Sequence, residues 1–88
     1  MPVLHALIES IRADPGDMGR WLALSRWLGE NGRQYEAAAV RVFWPSLRDN
    51  VLNAGVSLDE TLADVARSAK LLGPVAREVE ARRSAGPE

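Results

Sequence analysis

Ser57-Leu-Asp-Glu-Thr-Leu-Ala-Asp-Val-Ala-Arg-Ser-Ala-Lys-Leu-Leu-Gly-Pro-Val-Ala-Arg-Glu-Val-Glu-Ala-Arg-Arg83 is the stretch that decides the fold. Within it Leu58, Leu62, Val65, Ala69, Leu72, Ala76 and Val79 recur at alternating intervals of four and three residues. That spacing puts all of them on one stripe of an α-helix in heptad register. Ser57 with Glu60 forms a capping box that marks the start: the hydroxyl accepts from a backbone N–H and the carboxylate reaches back to the cap. The register carries through Gly73-Pro74, which predicts one helix kinked near Pro74 rather than two unrelated ones. Glu78 and Arg82 stand in the favoured i,i+4 order. From Leu58 to Val79 the seam is about 33 Å long at 1.5 Å per residue. A domain of this size has an expected radius of gyration of roughly 12 Å, so the helix is long enough to serve as its spine. Ala69, Gly73 and Ala76 are small and allow a neighbouring helix to come close. The seam has two readings, the core of one molecule or the interface of a dimer.

Upstream, Asn53-Ala54-Gly55 ends a preceding segment. Residues 33–54 form that segment, with Tyr35, Ala38, Ala39, Val42 and Phe43 on one stripe of a third helix. Pro45 lacks an N–H and its ring clashes with the Arg41 carbonyl in a regular helix. After it Trp44, Leu47, Val51 and Ala54 share a face rotated by roughly 120°, so a kink or a restart is expected at Pro45. Further upstream, residues 3–31 form a helical hairpin. Leu4, Leu7, Ile8 and Ile11 are spaced for a first helix, with Glu9 and Arg12 on its wet side. Asp14-Pro15-Gly16-Asp17 stops it, and Asp17 caps a second helix from about Met18 to Asn31. Met18, Trp21, Leu24, Ser25 and Leu28 make its inner face, Trp27 lies on the flank, and Gly32 suits a left-handed C-cap. The reading is therefore all-α: a small bundle of four to five helices in one domain over 1–83, the last helix spanning 57–83, with 84–88 a frayed tail.

The totals agree with a single folded unit. Of 88 residues, 47% are hydrophobic and 26% charged, and three Trp, one Tyr and one Phe supply large buried areas. Eleven basic against twelve acidic residues leave a net charge of -1, with no long-range pull toward nucleic acid or an anionic membrane. With no cysteine there is no disulfide, zinc ribbon or redox centre. The N-terminal residues lack a signal peptide's charged region, and no apolar run approaches the roughly 20 residues that span a bilayer. A cytoplasmic protein without membrane association is expected.

Ile11-Arg-Ala-Asp-Pro15, Asp17, Arg20-Trp21, Ala23, Trp27-Leu28 and Glu30-Asn31-Gly32 together resemble the bacterial repeat-companion domain. That family reads approximately I-x-A-D-P-x-D, an Arg-Leu pair, then A-D-W-L-E-E-x-G. The resemblance covers about residues 4–42. It implies a short helical module, often placed ahead of repeat arrays, with an accessory or interaction role and no chemistry. The chain departs from the pattern at Ser25-Arg26, where the family has Ala-Asp, and at Gly29-Glu30, where it has Glu-Glu. An acidic position has become basic at Arg26, so a partner contact made by that acid does not carry over.

A residue-by-residue search for chemistry yields little. His5 is the one histidine and reads as a surface residue, because a metal site needs companions at fixed spacing. No EF-hand-like run is present. Asp59, Glu60 and Asp64 sit in the first turns of a helix, where carboxylates favour the positive end of the dipole. The hydroxyls have only His5 to share as a base, and no phosphate-cradling loop or nucleophile elbow occurs. No enzyme activity, metal, cofactor or small-molecule substrate is expected. The candidate residues are therefore for contact. Trp44, in Phe43-Trp44-Pro45-Ser46-Leu47, is either a binding anchor or part of the packing with Leu47, Val51 and Ala54. Trp27 is a second candidate. Leu71 and Val75 are apolar residues of the last helix outside the seven seam positions. Arg41 and Arg48, with Arg33, offer a strip suited to phosphate, diluted by Glu30, Glu36 and Asp49. The hairpin 3–31 has few groups for reading base edges. The expected function is a protein-interaction module that binds itself or another protein; the alternative is a nucleic-acid-associated accessory protein using Arg33, Arg41 and Arg48.

Overall fold

Local chemistry sets where each helix starts and stops. The computed structural model describes residues 3–85, which form α1 (Val3–Ala13), α2 (Met18–Glu30), α3 (Gln34–Leu52) and α4 (Leu58–Ala85). Asp17 caps α2, its Oδ1 accepting from the Gly19 N–H at 2.9 Å. At the other end Asn31 is the cap rather than a helical residue. The Arg33 N–H donates to the Leu28 carbonyl (2.9 Å) and the Gly32 N–H to the Gly29 carbonyl (3.3 Å), the paired bonds of a Schellman motif. Gly32, at φ 80°, occupies the left-handed position that this motif reserves for glycine. Ser57 Oγ accepts from the Glu60 N–H at 3.1 Å, which is the first half of the capping box. α4 continues through Ser84 and Ala85, where a frayed tail was expected; residues 86–88 lie outside the described part.

α3 runs through Pro45 as one helix instead of restarting there. The proline frees the Arg41 carbonyl, but Pro45 and Arg41 are both exposed, on a side where water can satisfy it. Packing of the residues on either side holds the helix together. Pro74 likewise lies inside α4 at an exposed position.

α3 is the central element, with α2 against one side and α4 against the other, while α1 lies across α2. Ala37, Ala38, Ala39 and Val40 are consecutive and all buried. Four successive helical positions cover most of the circumference, so partners must surround α3 at this level. The expected stripe of Tyr35, Ala38, Ala39, Val42 and Phe43 is thus corrected: Tyr35 is 44% exposed, and Ala37, Val40 and Leu47 are buried in addition to the two alanines. A single-stripe reading assumes one wet side along the whole helix, and α3 has almost none between Ala37 and Val40, although Arg41, Pro45 and Ser46 beyond them are exposed. Met18 is also misplaced by that reading; as the first residue of α2 it is 49% exposed, whereas Trp21, Leu24, Ser25 and Leu28 are buried as expected.

The seam of α4 faces the rest of the chain. Leu58, Val65, Ala69 and Ala76 are buried, and Leu62, Leu72 and Val79 are half-buried. Thr61, next to the seam, is fully buried, and its hydroxyl has no hydrogen-bond partner among the described residues. Leu4, Ile8, Leu24, Leu28, Val40 and Val65, drawn from all four helices, line a partly open and mainly apolar pocket of about 80 Å³ that Arg33 and Glu36 also border. The radius of gyration is 12.9 Å.

Tyr35 packs onto Gly73. A Cβ at position 73 would lie 2.5 Å from the Tyr35 Cβ and 2.7 Å from its Cγ, closer than carbon atoms approach one another. Glycine in mid-helix costs up to about 1 kcal/mol relative to alanine; here it lets α3 and α4 meet. Gly73→Ala gains that propensity but forces the helices apart. It is expected to lower stability by about 1–3 kcal/mol net, the range for overpacked cores, as read by urea denaturation. A Gly73→Ala protein as stable as the parent contradicts this close approach.

Candidate functional site

The residues that carry the family resemblance build the α1–α2 turn. Besides the Asp17 cap, Arg20 donates through Nη1 to the Ser10 carbonyl (2.7 Å) and through Nε to Asp17 Oδ2 (3.2 Å). The Trp21 indole, fully buried, donates to the Pro15 carbonyl at 2.7 Å. Each of these groups satisfies a backbone or side-chain partner within the hairpin, which leaves its outer surface to other residues.

The arginine candidates are each charge-compensated. Arg33 clasps Glu36 through Nε (3.0 Å) and Nη2 (2.6 Å). Arg41 makes a two-pronged contact with Glu80, Nη2 to Oε1 at 2.7 Å and Nε to Oε2, which ties α3 to α4. Its Nη1 lies 3.5 Å from Ser25 Oγ, and that hydroxyl donates to the Ala37 carbonyl at 2.6 Å. Arg48 stacks over the Trp44 ring, 5.0 Å from its centroid, with Asp49 at 3.7 Å. No strip of three free cations results. Trp27 and Trp44 are both half-buried, packed against the core. Ala54, expected beside Trp44, is exposed. His5 is exposed as well.

Leu71 and Val75 are placed differently. They lie one turn apart on α4, turned away from the seam, and are 77% and 50% exposed. Exposed ion pairs flank them on the same side, Asp64 with Arg67 before and Glu78 with Arg82 (2.7 Å) after. Elsewhere an open cleft of about 470 Å³ lies between the α2–α3 turn and α4, lined by Arg33, Tyr35, Glu36, Lys70 and Arg77 among others. Arg77 stands 5.8 Å from the Tyr35 ring centroid. The cleft brings the cations of Arg33, Lys70 and Arg77 together with the Tyr35 phenol and one carboxylate, Glu36. Among the described residues no three His, Cys, Asp or Glu side chains stand close enough to hold a metal ion. No described helix is long and apolar enough to cross a membrane.

No family model, curated protein or solved structure matches this chain.

The Arg41–Glu80 pair escaped sequence reasoning because its members are 39 residues apart and neither belongs to a local pattern. Hydrogen bonds from Arg41 hold the Glu80 carboxyl below its ordinary value of 4.5; partial desolvation opposes them, and the charges of Arg41, Arg83 and Arg77 assist. The same bonds raise Arg41. Because the folded carboxyl gives up its proton at lower pH, the unfolded chain binds more protons between the two values. Glu80's contribution is therefore complete above the unfolded value and is lost as pH falls through the folded one. Glu80→Gln should be less stable than the parent at pH 7, and the difference should shrink as pH is lowered below the carboxyl's ordinary value of 4.5. Urea denaturation of both proteins at each pH measures this; a difference independent of pH contradicts it.

Proposed function

We propose that the chain is a small, non-catalytic protein-interaction module that binds through the outer face of α4. The observation that carries this reading is the exposure of Leu71 and Val75, 77% and 50%, on a helix whose opposite side is spent in the core. A large apolar side chain left that open on a rigid helix is suited to helix-face recognition, with the flanking charges as a polar rim. The resemblance of residues 4–42 to the repeat-companion domain points the same way, toward an accessory role beside a larger protein. The compensated state of Arg33, Arg41 and Arg48 weighs against the nucleic-acid alternative.

The test uses the intact chain as bait in nuclease-treated extract of its own cells, alongside a Leu71→Glu/Val75→Glu double variant shown to fold by circular dichroism. A protein recovered with the parent and lost with the double variant is the expected result. Equal recovery by both baits overturns the assignment of this face. Salt-sensitive retention of the purified chain on immobilised DNA or RNA, lost on Arg41→Glu with Arg48→Glu, overturns the reading in favour of nucleic acid.

A further inference from the structure

The exposed face of α4 is complementary to itself when two copies run antiparallel. At 3.6 residues per turn, Asp64, Arg67, Leu71, Val75, Glu78 and Arg82 fall within an arc of about 80° and span roughly 27 Å. Their order reads acid, base, apolar, apolar, acid, base. A two-fold axis perpendicular to the helix near Gly73 sets Leu71 against Val75 of the second copy. It also sets Asp64 opposite Arg82 of that copy and Arg67 opposite its Glu78. Both ends of the face then meet opposite charges, and the symmetry repeats each contact twice. All four charged side chains are solvent-exposed and paired only within their own helix turn, so they are free to share partners across such an interface.

Resting on the reading of this face as an interaction surface, we infer that its partner is a second copy of this chain, packed as an antiparallel α4–α4 pair. The contact is short and only its centre is apolar, below the size of a standard stable interface, so the dimer is concentration-dependent. The charge contacts lie at its exposed ends and weaken with salt. The seam has no part in it, being covered within each copy.

Two variants test the arrangement by sedimentation equilibrium from low micromolar to millimolar chain. Asp64→Arg with Arg67→Asp reverses one ion pair; Glu78→Arg with Arg82→Glu reverses the other. Each keeps the net charge and an oppositely charged pair within the helix, and circular dichroism checks that the fold is unchanged. In an antiparallel pair either variant alone sets like charges against each other at both ends. The parent should show a reversible monomer–dimer equilibrium, and each variant alone should dimerise at least about tenfold more weakly. An equimolar mixture of the two variants should recover the parent's affinity as a heterodimer, because every cross-copy pair is then opposite in charge. Variants that dimerise like the parent overturn the arrangement; a parallel pair behaves this way, since matching residues change together. A parent that stays monomeric throughout overturns the dimer. If that monomer still recovers another protein through Leu71 and Val75, the interaction reading stands without it; if it recovers nothing, both fall.

Discussion

Everything in this structure depends on a helix that is buried on both sides. Ala37, Ala38, Ala39 and Val40 leave almost no wet face over the first half of α3, so α2 and α4 close on it together at this level. Three alanines in a row make this possible, because small side chains let two helix backbones approach at once. Polar links reinforce the layer order: the buried Ser25 hydroxyl joins α2 to the Ala37 carbonyl, and Arg41 joins α3 to Glu80 of α4. Arg12 adds a bond from α1 to Asp59 at 3.0 Å, exposed and of small weight. With α3 occupying the seam of α4, only the far side of that long helix is left open.

The helix ends were legible in the sequence because their chemistry is local. Asp17, Gly32 and Ser57 each act on a backbone group within five residues, and all three cap or terminate helices as read. The apolar stripe of α4 was legible too, and Leu58, Val65, Ala69 and Ala76 on it are buried; periodicity alone left open whether it served as core or as interface. What failed was the face of α3. Periodicity locates a boundary between oil and water, and an internal helix of small residues has no such boundary to display. The restart offered at Pro45 does not occur: the rule against proline in a helix describes an isolated segment, and here packing of the flanking residues outweighs one missing hydrogen bond.

The contact candidates divide along the same line. Trp27, Trp44, Arg41 and Arg48 drew attention by residue type, yet their surroundings absorb them into packing, stacking or ion pairs. Leu71 and Val75 are ordinary residues made conspicuous by position. Pairings distant in sequence, such as Tyr35 on Gly73 or Arg41 with Glu80, leave no spacing signal and emerge only when the chain is folded. The function we propose is one of surfaces, resting on a helix whose inner stripe is buried in the domain and whose outer stripe is exposed.

That division of α4 is the central claim, and the accessibility of its methyl groups tests it most directly. With Leu and Val methyls labelled and a soluble paramagnetic cosolute added to dilute protein, the resonances of Leu71 and Val75 should be strongly attenuated, while those of Leu58 and Val65 should be nearly unaffected. Attenuation of Leu58 and Val65 equal to that of Leu71 would mean the seam lies open to solvent, which contradicts the account.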